Sequence, residues 1–485
     1  MAAKKHKMFI GGKWVDAASG KTFEDMNPYT GDVYAHVPAG KREDAKRAID
    51  AAQAAFPEWS NTPPSVRRKI FLKAADIMER RQDELVKAMM EEAGGTIGIS
   101  MFQMFFVPGL YRMAASAAYD VKGEIIPADH KDSFFMAIRQ PAGVVSCFGP
   151  FNVPYILCSR SFAVPVAYGN TAVLKPSEEA PLTGGILLAE IFEEAGLPPG
   201  VLNVITCSRE DAVEVGDEMI ANPAVRRISF TGSTEVGRII AEKAGRHLKR
   251  ATLELGGKDP LIILADADID YAVDAAAWGA FLHQGQICMS TERIIIDKKI
   301  ADKFTEKLRE RALALPMGDP TNPATAIGPL INQRAVDLVH AHVQEAVAGG
   351  AELVCGGQYD NLVYHPTIVT DVKPNMRIFT DQTFGPVAPI IVVNDAEEAL
   401  AVANNSKYGL SSGILTKDFN RALDIAMRLE TGMVHIGDQT VNDEPQAPFG
   451  GVKGSGYGRF GGQAALDEFT ELRWINIQRT PRTFP

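Results

Sequence analysis

The feature that most restricts the fold is a change of rhythm after residue 140. Short apolar runs (GVVSCFG, TAVLKPS, LNVIT, RRISFTG, ATLELGG, LIILAD) alternate with helical segments such as PLTGGILLAEIFEEAG and STEVGRIIAEKAG. Parallel strands need crossover connections, so this alternation predicts an α/β fold with a mostly parallel sheet wrapped by helices. A second alternating block, with IIID, PIIVV and SSGILT, runs from about residue 265 to 455. Upstream, Ala45 to Ala93 carries apolar residues at three- and four-residue spacing and reads as helical, in the stretches REDAKRAIDAAQAAFPEW and PSVRRKIFLKAADIMERRQDELVKAMMEEAG. Tyr119 to Gln140 reads as a polar, hairpin-like excursion. The tail FTELRWINIQ reads as a strand, with Leu472 and Trp474 on one face and Ile475 and Ile477 on the other. A terminal strand that is apolar on both faces needs cover, from its own domain or from another subunit.

With 485 residues, 46% of them hydrophobic, the chain has material for about two to four domains. The net charge of -10 is spread without acidic runs and argues against a nucleic-acid surface. Five scattered cysteines match neither a disulfide framework nor a zinc site, which points to a reducing, cytoplasmic setting. No apolar run approaches the ~18 residues needed to span a bilayer.

Five motifs carry chemistry. In HQGQICMSTER, Cys288 follows Gly285 in a turn-like stretch flanked by amides and hydroxyls. A nucleophilic thiol needs access and a lowered pKa; the alternative is an inert cysteine buried by Ile287 and Met289. In LELGGKDP, Glu254 ends an apolar strand, where it is either hydrogen-bonded for structure or a base whose pKa is raised by burial. In CFGPFNVPY, Asn152 precedes a helix-starting Pro154 and either caps that helix or donates to an oxyanion. Arg160, a little over two turns on, either adjoins that face or is a surface group. In LKPSEE, Lys175 and Glu178 stand past a strand's carboxyl end, as a solvated pair or as a ribose site that favours NAD over NADP. In SFTGSTEVG, Gly232, Ser233 and Gly237 open a helix whose N–H groups suit a phosphate, although Thr234 takes the place of the usual middle glycine.

Read together and in order, PFNVPY, LKPSE, FTGSTEVG, LELGGKDP, GQICMSTER, FGPV and PFGGVKGSGYGR resemble the aldehyde dehydrogenase superfamily over nearly the whole chain. The C-terminal region from Val441 to Trp474 is similar to the branch that acts on aromatic aldehydes such as vanillin, benzaldehyde and salicylaldehyde. The resemblance implies a Rossmann-type cofactor domain (1–118 and 141–253), an α/β catalytic domain (254–455) and a β oligomerisation element (119–140 and 456–485). It implies a homodimer or homotetramer, and NAD as cofactor with NADP as the alternative. Cys288 would be the nucleophile, Glu254 the general base, and Asn152 with the Cys288 N–H the oxyanion hole. Phe148, Pro150, Phe151, Lys175, Ser177, Glu178, Gly232, Ser233, Gly237, Leu255, Gln382 and Phe384 would contact the cofactor. Phe151, Tyr155, Arg160 and Phe449 would border the substrate. Two positions depart from the family pattern: Gln382 replaces a Glu that holds the nicotinamide ribose, and Phe151 replaces a Trp. The expected reaction is oxidation of an aldehyde to its acid through a thiohemiacetal and a thioester. The alternatives are an aliphatic aldehyde or semialdehyde substrate, or a cysteine esterase that needs no nucleotide.

Overall fold

A computed structural model describes residues 3–484 of the chain. Two large sheets organise it. The first has eight strands, and its centre is formed by Arg250–Glu254, Val225–Thr231, Val144–Phe148, Thr171–Lys175 and Leu202–Val204, all parallel. Its strands are buried on both faces. Val144 and Val173 point into one apolar cluster, while Val145, Cys147, Ala172 and Leu174 point into the other. That period-two division explains why these strands read as continuous apolar runs. The second sheet has seven strands, with Val387–Val393, Thr291–Asp297, Asp259–Ile263 and Gly413–Leu415 parallel at its centre. Here Ile262 and Ile295 face one cluster, and Leu261, Ile263, Ile294 and Ile296 the other. Both rhythmic blocks in the sequence therefore become α/β layers.

The N-terminal helical region is divided more finely than its periodicity suggests. It forms helices Arg42–Asn61, Pro64–Arg80 and Gln82–Ala93, broken at the Pro63-Pro64 pair and at Arg81. Gly94, at φ 65°, ends the third in a left-handed cap. A fourth helix, Ile97–Ala117, has no sequence-derived counterpart. Its exposed face carries Met101, Phe102 and Phe105, so both faces are apolar and no amphipathic stripe marks it. The segment PLTGGILLAEIFEEAG begins with a π turn over Leu182–Ile186 before the helix Leu187–Ala195.

The tail from residue 456 divides. Gly456–Tyr457 joins the first sheet antiparallel to Arg250–Glu254, with Gly456 opposite Glu254. Thr470–Gln478 instead pairs along its whole length with Ser133–Pro141, which also pairs with Gly123–Ile126. This third sheet stands apart with Trp474 64% exposed, its ring edge-on to Phe135 at 5.1 Å.

Candidate active site

The two large sheets meet where Arg250–Glu254 ends and the chain crosses to Asp259–Ile263. Glu254 stands at that carboxyl end. Facing it is the turn that follows helix Ile269–Phe281, and this turn carries Cys288. Its backbone is strained: His283, Gln284 and Gly285 take φ of 52°, 56° and 71° in succession. Left-handed conformations at non-glycine residues cost on the order of 1–3 kcal/mol each, so the surroundings must fix them. Gln284 Nε2 donates to the carbonyls of Gly94 (3.0 Å) and Pro329 (2.9 Å). Gln286 Oε1 accepts from the Ile331 N–H at 3.0 Å, Ser290 Oγ donates to the Gly285 carbonyl at 3.0 Å, and Thr440 Oγ1 donates to the Met289 carbonyl at 2.6 Å. A side chain at 285 would strike the Gly385 carbonyl. Ile287 and Met289 turn into the core, while Cys288 between them stays half-buried.

The sequence led us to expect a Cys288 thiol with a lowered pKa. The structure reverses that direction: burial first, then the adjacent Glu254 carboxyl, pushes the thiol well above its ordinary range. Burial also raises Glu254 to about 7, against opposing effects of Cys288 and Arg160. The resting pair is a neutral thiol beside a carboxyl that is half ionised near neutrality. Both Glu254 oxygens are buried without a fixed partner among the described residues. Asn152 is buried beside them, and its Nδ2 donates to the Gln286 carbonyl at 2.9 Å. His283 fixes the backbone of Asn152 from the other side, with Nε2 2.6 Å from the Asn152 carbonyl. Burial lowers His283 to about 4, so it is neutral and donates this bond.

Arg160 is buried and pairs with Asp443, its guanidinium 4.5 Å from the Phe449 ring centre and 5.6 Å from that of Phe106. Arg160 Nη1 and Asp443 Oδ1 are both buried without partners among the described residues. Phe151 meets Phe384 edge to face at 6.1 Å. Tyr155 corrects an expectation: its side chain is wholly buried in the core, and its hydroxyl donates to the Leu85 carbonyl at 3.1 Å. Its position in the first turn of helix Pro154–Ala167 points the hydroxyl at Leu85 and leaves no accessible surface to border a substrate.

The remaining predicted residues gather at the carboxyl ends of the first sheet's strands. Lys175 Nζ donates to the Pro176 carbonyl, and Glu178 lies 3.7 Å from Arg209. Ser177 Oγ accepts from the Glu179 N–H. Ser233 caps helix Thr234–Arg246 through the Val236 N–H, while Thr234 Oγ1 donates to the Gly454 carbonyl at 3.0 Å. Thr234 is thus tied down beside the helix end. Gly237 abuts Leu255, and Phe148 meets Phe230 at 6.1 Å. Pro150 O accepts a weak bond from the Cys158 thiol. Gln382 lies against Gly256, and its buried Nε2 has no partner among the described residues. Gln382 turns its Oε1 toward Gly256, where any Cβ would collide with it, and the orphan Nε2 is a donor free for a sugar hydroxyl.

Sequence reasoning missed several supports. Glu292 accepts from Lys258 Nζ (2.5 Å) and from the N–H groups of Thr383 (2.7 Å) and Phe384 (2.9 Å), fixing Phe384 at φ 54°. Glu292 and Lys258 lie within the quoted motifs, but their pairing spans 34 residues and only the fold reveals it. His283 opened its motif without a role, and Asp443 carried no signal at all.

Paired α/β sheets, with a thiol, a carboxyl and an amide brought together at their junction, define the class as an oxidoreductase. The chain belongs to the Aldehyde dehydrogenase family, which it matches over residues 14–475, and it is an NAD(P)-dependent enzyme of that family. It is 46% identical over 478 residues to a vanillin dehydrogenase of Pseudomonas fluorescens, covering 99% of each chain. It superposes on a crystal structure of a salicylaldehyde dehydrogenase from Pseudomonas putida G7, complexed with salicylaldehyde, with a TM-score of 0.97, 43% identity and full coverage of both chains. It also superposes on a betaine aldehyde dehydrogenase of Staphylococcus aureus in complex with NAD+, with a TM-score of 0.95 and 34% identity over 99% of this chain and 95% of the other. Among the described residues no helix is long and apolar enough to cross a membrane.

Proposed function

We propose that the enzyme oxidises aromatic aldehydes to carboxylic acids, with Cys288 as nucleophile. The observation that carries this reading is the buried cluster of Cys288, Glu254 and Asn152, together with an Arg160 guanidinium held against the rings of Phe449 and Phe106. Stacked guanidinium and ring faces suit a flat substrate with a polar substituent. The similarity to vanillin and salicylaldehyde dehydrogenases supports it.

Glu254, half ionised near neutrality, accepts the Cys288 proton as sulfur adds to the aldehyde carbon. The oxyanion that forms is held by the Asn152 amide and the Cys288 N–H, each worth on the order of 3 kcal/mol in the transition state. NAD(P), when bound, supplies the hydride acceptor that turns this adduct into a thioester. Glu254 passes the Cys288 proton to solvent and then takes one from water; the hydroxide adds to the thioester carbonyl, and the sulfur leaves, regaining a proton from Glu254 as the acid is released. Lys175 and Glu178 hold the adenosine ribose, Ser233 and the helix end the pyrophosphate, and Gln382 the nicotinamide ribose. We assign 1–118 and 141–253 to cofactor binding, 254–455 to catalysis, and the Tyr119–Gln140 hairpin with Thr470–Gln478 to a homodimer or homotetramer contact in the cytoplasm. A panel of aromatic and aliphatic aldehydes, followed by NADH absorbance, tests the substrate class. Faster turnover of aliphatic than of aromatic aldehydes would overturn it, and ester cleavage without nucleotide as the sole activity would overturn the redox reading.

A further inference from the structure

We propose that a cavity of about 290 Å³ between helix Pro64–Arg80 and the strand Ser133–Pro141 binds a small organic carboxylate, with Arg67 as its anchor. The cavity lies outside the site described above and is lined by Pro64, Arg67, Val121, Ile138, Arg139 and Tyr168, among others. Arg67 is only 4% exposed. Its Nη1 donates to the Thr62 carbonyl at 2.9 Å, and its Nε is buried without a partner among the described residues. No carboxylate offsets its charge: burial is the sole cause that lowers its pKa. The other charges nearby are already matched, Arg139 by Asp467 and Lys122 by Asp120. Gly169, at φ 102°, keeps the guanidinium's flank clear, since a Cβ there would lie 3.1 Å from Arg67 Nη1.

A buried cation without a counter-charge is unfavourable, and a guanidinium fork matches a carboxylate through two parallel N–H bonds. The walls select the rest of the ligand. Pro64, Val121, Ile138 and the Tyr168 ring present apolar surface, and a cavity of about 150 Å³ already admits a benzene ring. A carboxylate with a ring-sized apolar body therefore satisfies both ends. The acids made by aldehyde oxidation belong to this class, but the inference rests on Arg67 and its cavity and holds for any aldehyde substrate.

The test is ¹⁹F NMR of the full-length enzyme titrated with 4-fluorobenzoate. Two bound resonances are expected, one from the active site and one from this cavity. Arg67→Leu should remove the second while keeping the first, weakening that site by about tenfold or more. The neutral 4-fluorobenzamide should give no second resonance. Val121→Trp fills the cavity without touching the guanidinium and should also abolish it, so it decides the matter if Arg67→Leu misfolds. A second resonance that survives either folded variant, or that the benzamide reproduces, overturns the proposal. So does a wild type with one resonance, as when a carboxylate of a second subunit already sits on Arg67. Inorganic phosphate displacing fluorobenzoate from the cavity at equal concentration would overturn the choice of an organic acid.

Discussion

The cysteine turn and the cofactor loops lie side by side but are built in opposite ways. The turn from His283 to Ser290 holds three consecutive left-handed residues and is braced against three distant segments, by its own Gln284 and Gln286 side chains bonding to the backbone of Gly94, Pro329 and Ile331 and by the Thr440 hydroxyl. The cofactor loops use ordinary devices: a serine cap at Ser233, a strand end at Lys175, and a half-exposed Glu178 near Arg209. Bond-making chemistry needs atoms fixed to a fraction of an ångström, whereas a large dinucleotide spreads its contacts and tolerates looser support. Changes at the turn should therefore be severe, and changes at the loops graded.

The largest effect should come from Cys288→Ala, which should lower kcat by on the order of 10⁴-fold or more; turnover close to wild type would end the covalent scheme. Glu254→Gln, which removes the base for both proton transfers, should slow the first burst of NADH and cut steady-state turnover by about 10²–10⁴-fold. The pH dependence follows in sign. With Glu254 at about 7 rather than in the usual carboxyl range, the base is protonated below neutrality, so turnover should climb through pH 7 and Glu254→Gln should flatten that profile. Burial favours the protonated form, so the fold should lose stability as pH rises from the ordinary carboxyl range towards 7, and the Gln variant should be spared. Asn152→Ala should lower kcat by on the order of 10²–10³-fold with little change in KM. Gly285→Ala must displace the Gly385 carbonyl and should destabilise the protein by more than about 1 kcal/mol, read as a lower melting temperature. The smallest effect belongs to the loops. Arg209→Ala should shift the NAD/NADP preference further towards NAD, by at most about fivefold, because the pair with Glu178 is partly exposed.

The same contrast explains what could be read from the sequence. The strands around Val145 and Ile295 were legible because burial on both faces leaves short, uninterrupted apolar runs. Glu254 stood out as an acid ending an apolar strand, Cys288 as a thiol set among amides and hydroxyls, and Asn152 as an amide just before a helix-starting proline. The helix Ile97–Ala117 left no stripe to find, since its exposed face carries Met101, Phe102 and Phe105 and is nearly as apolar as its buried one. Tyr155 misled because adjacency in PFNVPY does not determine which way a helix's first turn points. The direction of the Cys288 shift was beyond local reading, as it depends on burial and on a carboxyl that lies 34 positions earlier in the chain. Asp443 and Arg160 lie 283 positions apart in the chain and meet only in the fold.

The pairing of Gly456–Tyr457 with Leu253 and Glu254 bears on how the enzyme is born. The strand that presents Glu254 lacks its outer neighbour until about two hundred more residues have been synthesised. A nascent chain can assemble most of the first layer on the ribosome, but that layer's edge stays open until the last segments emerge. Products truncated before Gly456 should therefore be inactive and prone to aggregate.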